Sequence, residues 1–149
     1  MSKSKRIKNC KAKTPAITNI NDDEFRTRMM KNVVKCVKAD GSLHLPLLSI
    51  ISCFIDGLAK AQPGEVGLTY KEYLKKHFPK LCKELGAEIF YCNFRCKSVH
   101  EFSIKKGFGI ARDSELNGVY ACRDKKSEII FLNIDKLVDE FLSHIEKIE

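Results

Sequence analysis

A chain of 149 residues, 44% apolar and 31% charged, has the composition of one soluble domain with its own hydrophobic core. Seven cysteines, an odd number without framework spacing, argue against a disulfide-stapled secreted protein and for a reducing, cytoplasmic setting. The net charge of +8 is concentrated at one end: residues 1–14 carry six basic and no acidic side chains, whereas the other 135 positions hold 21 basic and 19 acidic groups.

Residues 1–20 therefore read as a basic, disordered tail, and residues 21–149 as a single helical-bundle domain. Such a tail can attract phosphate backbones, and it serves equally as a solubilising terminus. The chain opens without the apolar run of a signal peptide. A first helix is expected from Asn21, with Glu24 three residues on in the manner of a capping box. Phe25, Met29, Met30, Val33, Val34 and Val37 follow at helical spacing, and Asp40-Gly41 closes the helix. A second helix is expected over 45–61, because Pro46 is tolerable only in a first turn. Its run LLSIISCFIDGLA is apolar nearly all round, which suits the central helix of a bundle better than a membrane span. Asp56 should then lie deep in an apolar element, where a carboxylate must find partners or take up a proton. Cys36, Cys53 and Cys82 sit in apolar helical contexts and should pack as small hydrophobes.

Thr69 and Glu72 form a clear capping box for a third helix bearing Tyr70, Tyr73, Leu74, His77 and Phe78. Pro79 bends or restarts the chain, and Gly86 separates two helical pieces. Leu81, Leu85, Ile89, Phe90 and Phe94 carry an apolar face into a cluster of functional side chains: Asn93, Arg95, Lys97, Ser98, His100 and Glu101. Past Phe102 the pattern changes to short β-prone runs at 107–110, 119–122 and 128–132, separated by turn residues. They predict a small antiparallel sheet or hairpin. Asn133 or Asp135 caps a last helix with Ile134, Leu137, Val138, Phe141, Leu142, Ile145 and Ile148 on one face. The expected fold class is mainly α: a bundle of four or five helices with a small antiparallel β insertion before the C-terminal helix.

Cys92, Cys96 and His100 recur at i, i+4 and i+8, but the third position drifts about 80° round a helix and no fourth ligand is evident, so no metal or other cofactor is expected. His44 and His77 have no acid or thiol at ligand spacing and read as surface or satisfied core residues. Arg95 and His100 form an Arg-x4-His pattern. With six Arg and four His in the chain, chance alone gives roughly 0.16 occurrences, so the context carries the weight. The pair closes a core helix and follows a buried helix that bears an acid. Five positions on a regular helix turn through about 140°, so the two side chains should face apart. They can cooperate only if the helix deforms near Ser98 or if another surface completes the site. In the simplest alternative, Arg95 pairs with Glu88 or Glu101 at the surface and His100 merely ends a helix.

On Arg95, His100 and the helical bundle, the chain resembles the HEPN superfamily (higher eukaryotes and prokaryotes nucleotide-binding) over roughly residues 45–148. Residues 78–108, with FRCKSVHEFSIKKGF at their heart, also look like an uncharacterised bacterial family that places such a motif before a short β segment. Many active members have Asn, Asp or His directly after the Arg, where this chain has Cys96. The resemblance implies a metal-independent endoribonuclease, a toxin or defence effector acting on RNA, with a cognate antitoxin as a further partner. It implies a homodimer in which two motifs face each other, and no membrane association. His100 would be the general acid/base, Arg95 the phosphate clamp and Asp56 the residue that orients either one. Lys97, Lys105 and Lys106 would attract the RNA backbone. The alternative is a non-catalytic nucleotide- or RNA-binding or protein-interaction module on the same bundle.

Overall fold

The computed structural model describes residues 23–148 apart from 63 and 66. The expected basic tail and the Asn21 cap lie outside the described residues. Helix α1 (Asp23–Ala39) packs against α2 (His44–Ala61), and both pack against the C-terminal α8 (Ile134–Ile148). Val34 of α1 is fully buried, with Met30 and Val37 packed beside it. Met29, expected on the same face, is 43% exposed. Thr27 is buried in its stead, its hydroxyl turned back to the carbonyls of Asp23 and Glu24.

Helix α2 is the centre of the molecule. It meets α1, α8, β1 and the helical segments on both sides of Gly86. Leu48, Ile51, Ser52 and Ile55 are wholly buried. Among the described residues it is the one helix long and apolar enough to cross a membrane, and here that apolar surface is packed against protein. The helix is not enclosed all round, however. Cys53 and Cys36 are exposed and Cys82 only half-buried, so these cysteines are not the core fillers expected from their neighbours.

Helix α3 (Tyr70–His77) starts with the expected capping box. Thr69 Oγ1 accepts the Glu72 N–H at 3.2 Å, and Glu72 Oε2 accepts the Thr69 N–H at 2.7 Å. Pro79 occupies the first position of α4 (Pro79–Glu84), where its missing N–H costs no hydrogen bond. Gly86, at φ +97°, then breaks the chain direction. From there α5 (Ala87–Ile89), a π-helical turn (Phe90–Arg95) and α6 (Cys96–His100) run on without interruption. In a chain with no Trp, the wholly buried Phe78, Phe90, Phe94 and Phe141 supply core volume.

The β insertion comprises β1 (Phe108–Ala111), β2 (Ala121–Arg123) and β3 (Ile130–Asn133), ordered β1-β3-β2. The expected antiparallel sheet is in fact mixed. β2 and β3 form the antiparallel hairpin, but β1 pairs with β3 in parallel. The turn expected between the first two β-prone runs contains a short helix, α7 (Asp113–Leu116), and α7 with β2 forms the crossover that a parallel pair requires. Asn133 is the cap of α8: its Oδ1 accepts the Lys136 N–H, while its Nδ2 donates to Asp113 and to the Val119 carbonyl. Asp135 is used differently, accepting from Arg112 Nε and Asp113 N–H.

A second polar cluster lies where α3 meets α8. The Tyr73 hydroxyl donates to Gln62 Oε1 and sits 2.6 Å from His144 Nε2, so it accepts from that ring nitrogen. The His77 ring lies 4.6 Å from that of His144, and its Nε2 is 3.0 Å from Glu65 Oε1. Burial pushes the His144 pKa down to about 4, and the nearby His77 and Lys147 add to the shift.

Candidate functional site

The site begins with an irregularity in the backbone. In the π-helical turn the chain closes over five residues rather than four, as Cys96 N–H donates to the Tyr91 carbonyl. Its inner side is fixed by aromatic packing: Phe90 and Phe94 stack with ring centres 6.2 Å apart, and Phe94 meets Phe108 edge-on at 5.5 Å. Buried Asn93 donates to the Ile89 carbonyl at 3.1 Å, and its own carbonyl receives Lys105 N–H. The deformation expected near Ser98 therefore occurs one turn earlier, and α6 is regular from Cys96 to His100. Ser98 has another job. Its carbonyl, near a helix end that lacks intrahelical donors, accepts the Ser49 hydroxyl of α2 at 3.0 Å.

Arg95 and His100 meet within one chain. Arg95 Nη1 lies 3.4 Å from His100 Nε2. Five residues of helix rise only about 7.5 Å, and the extended guanidinium arm spans that distance round the helix end. A guanidinium has only donors, so the contact is a hydrogen bond when the Nε2 of a neutral imidazole offers its lone pair. His100 is exposed, whereas the Arg95 side chain is only 13% exposed.

Asp56 joins them from α2. Its Oδ1 lies 3.7 Å from Arg95 Nη2, and its Oδ2 is 2.7 Å from Lys60 Nζ, one turn along the same helix. Contrary to the sequence expectation it is not deep in the core, since its side chain is 28% exposed at the rim of α2. The apolar run ends on the buried faces of Ile55 and Leu58, which leaves the Asp56 face open to this partner. The alternative partners for Arg95 are engaged elsewhere: Glu88 with Lys71 and Glu101 with Lys97, each at 2.7–2.8 Å.

Two aromatic rings complete the setting of Arg95. Its guanidinium carbon lies 5.1 Å from the Tyr70 ring centre and 5.3 Å from that of Tyr91, within cation–π range. Burial opposes the charge, but the contact with the Cys96 sulfur at 3.9 Å and the charge of Asp56 outweigh it and hold the Arg95 pKa above its ordinary value. Arg95 Nε is buried without a hydrogen-bond partner among the described residues. Burial, helped by the charge of Asp56 and opposed by that of Arg95, drives the Tyr70 hydroxyl well above the phenol range, so that ring is neutral.

Lys97 is tied to Glu101, whereas Lys105 and Lys106 are exposed and form no ion pair among the described residues. Between them stands Phe102, at φ +48° and 61% exposed. It occupies the left-handed position that closes α6, where the Lys97 carbonyl accepts both Glu101 N–H and Ser103 N–H. Gly or Asn normally fills such a position, and a residue with a β-carbon is strained there by roughly 1–2 kcal/mol.

The structure thus brings Asp56, Arg95 and His100 together and leaves the three lysines at the periphery. Sequence reasoning missed Tyr70, Tyr91, Lys60 and Phe102. Two of these carried a local signal, because Tyr91 precedes Arg95 by four positions and Lys60 follows Asp56 by four. Tyr70 arrives from a separate helix and carried none. Among the described residues, no group of three or more His, Cys, Asp or Glu side chains is placed to hold a metal ion. No known protein family, curated protein or solved structure matches this chain.

Proposed function

We propose that this protein is a metal-independent endoribonuclease of the HEPN type, a cytoplasmic toxin or defence effector. One observation carries the proposal: a guanidinium and an imidazole 3.4 Å apart, with a carboxylate 3.7 Å behind the guanidinium. Arg95 also has more donors than partners, and a buried cation left under-satisfied suits a site awaiting an anion better than a structural pair.

In the proposed reaction an RNA phosphate takes over the Arg95 Nη1–H now directed at His100. That exchange frees Nε2 of His100 to take the proton of the neighbouring 2′-hydroxyl. The 2′-oxygen attacks phosphorus, the bond to the 5′-oxygen breaks, that oxygen takes its proton from water, and the imidazolium of His100 returns the 2′-hydroxyl proton to solvent. The products are a 2′,3′-cyclic phosphate and a 5′-hydroxyl. Arg95 offsets the charge that grows on the phosphoryl oxygens, while Asp56 and the two tyrosine rings keep the guanidinium aimed. Lys97, Lys105 and Lys106 hold the flanking backbone. A homodimer and a cognate antitoxin belong to the same proposal.

The test is cleavage of a mixed single-stranded RNA in EDTA. Wild-type protein should generate cyclic-phosphate ends, and folded His100→Ala should generate none. Equal cleavage by the variant rejects the assignment. The second reading, a non-catalytic RNA- or nucleotide-binding or protein-interaction module, draws on Cys96 and on the low exposure of Arg95. It predicts salt-sensitive RNA binding without any product.

A further inference from the structure

The exposed ring of Phe102 has no explanation in the fold. It adds nothing to the core, being 61% exposed, and its left-handed backbone is one that a phenylalanine adopts at a disadvantage. A glycine would close α6 with less strain, as glycine does at other helix ends. Strain and exposure coincide two residues after His100, and the next charged residues along the chain are Lys105 and Lys106, which form no ion pair among the described residues.

We propose that Phe102 is a stacking platform for a nucleobase beside the scissile phosphate, which makes unpaired single-stranded RNA the substrate class. This rests on the nuclease reading of the same site. An aromatic face held in solvent, next to cationic side chains that follow a backbone, is the combination by which single strands are gripped without base-pair readout. In a duplex the bases are already stacked on one another, so the ring would have no face to meet. A protein partner is the lesser fit, because the exposed residues nearest Phe102 along the chain are His100, Glu101, Lys105 and Lys106 rather than further apolar side chains.

The experiment uses the full chain and a single-stranded RNA oligonucleotide with 2′-O-methyl groups, which cannot form the cyclic product. Binding is read by fluorescence anisotropy at several salt concentrations. Phe102→Gly should weaken binding about tenfold with the salt slope unchanged, while Phe102→Trp retains affinity. Relief of the left-handed strain offsets the greater freedom of glycine in the unfolded chain, so the glycine variant should melt close to wild type, and lost binding then cannot be put down to unfolding. Wild-type affinity in Phe102→Gly overturns the proposal, as does equal affinity for a duplex of the same sequence. A change in sedimentation without a change in RNA affinity would assign the ring to contact with a second copy and also overturns it. The two readings separate cleanly. If Phe102 governs binding but unmodified RNA is never cleaved, the nuclease reading falls and the platform stands. If RNA is cleaved with unchanged KM by Phe102→Gly, the platform falls and the nuclease stands.

Discussion

Replacing Asp56 with asparagine removes one charge from the site and leaves its shape almost unaltered. At the 3.7 Å separation from Arg95, a unit pair is worth about 4.5 kcal/mol at an effective dielectric of 20 and about 1 kcal/mol in bulk water. Exposures of 13% and 28% place the pair between those limits, and Lys60 shares the carboxylate. We therefore expect Asp56→Asn to destabilise the fold by about 2 kcal/mol, chiefly because a mostly buried guanidinium loses its counter-charge. Urea unfolding of Asp56→Asn, Arg95→Met and the double variant isolates the pair, with an expected coupling of about 1–2 kcal/mol. Lys60 is the internal control. It is 73% exposed, and Lys60→Met should cost under about 0.5 kcal/mol despite its shorter 2.7 Å contact. A coupling below about 0.3 kcal/mol, or a larger effect at Lys60 than at Arg95, refutes the claim that Asp56 is there for Arg95.

The buried His144 gives a pH prediction. Its pKa is about 4 in the fold and about 6.5 when unfolded, so the unfolded chain binds more protons between these values, and stability falls as pH drops from 6.5 to 4. The shift is worth at most about 3 kcal/mol, nearer 2 once solvent screening is allowed for, and His144→Gln should flatten that part of the curve in thermal melts at stepped pH. Gly109 faces Phe131 across the parallel pair, and an added β-carbon would lie 2.7 Å from that ring. Gly109→Ala should therefore lower stability by about 1–2 kcal/mol, and most of the loss should vanish in a Phe131→Leu background. Thr69→Ala removes one half of the capping box and should cost about 1 kcal/mol in urea unfolding.

Features decided by neighbours in sequence were legible. The Thr69–Glu72 box, the start of α2 with Pro46 in its first turn, the break at Gly86 and the cap of α8 each depend on residues within one turn of one another. Features decided across the fold were not. The parallel pairing of β1 with β3 is a matter of which strand edge receives Phe108, and the hydrophobic alternation of a four-residue strand does not specify it. The exposure of Cys53 and Asp56 follows from how much of α2 its neighbours cover. The π-helical turn was not legible for a related reason: it goes with the burial of Phe90 and Phe94 against the rest of the fold, which a helical wheel does not contain. The motif itself was visible, and so was the objection that its two members should face apart. That objection assumed a regular helix and short side chains.

The meeting of Arg95 and His100 inside one chain changes what a second subunit would be needed for. The sequence invited a homodimer partly because a partner's motif could supply the missing contact across about 140° of helix. With the pair already closed at 3.4 Å, and with Asp56 reaching Arg95 from the same chain, the groups proposed to act on RNA need no partner to be assembled. Dimerisation would instead shape the cleft or exclude water. Dilution distinguishes these roles. If one chain suffices, RNA cleavage per mole of protein stays constant from micromolar to nanomolar concentration, whatever sedimentation says about assembly. Cleavage that falls with the square of the protein concentration would mean that two motifs act as one site, and that the close contact within each chain is a resting arrangement exchanged for one across the interface.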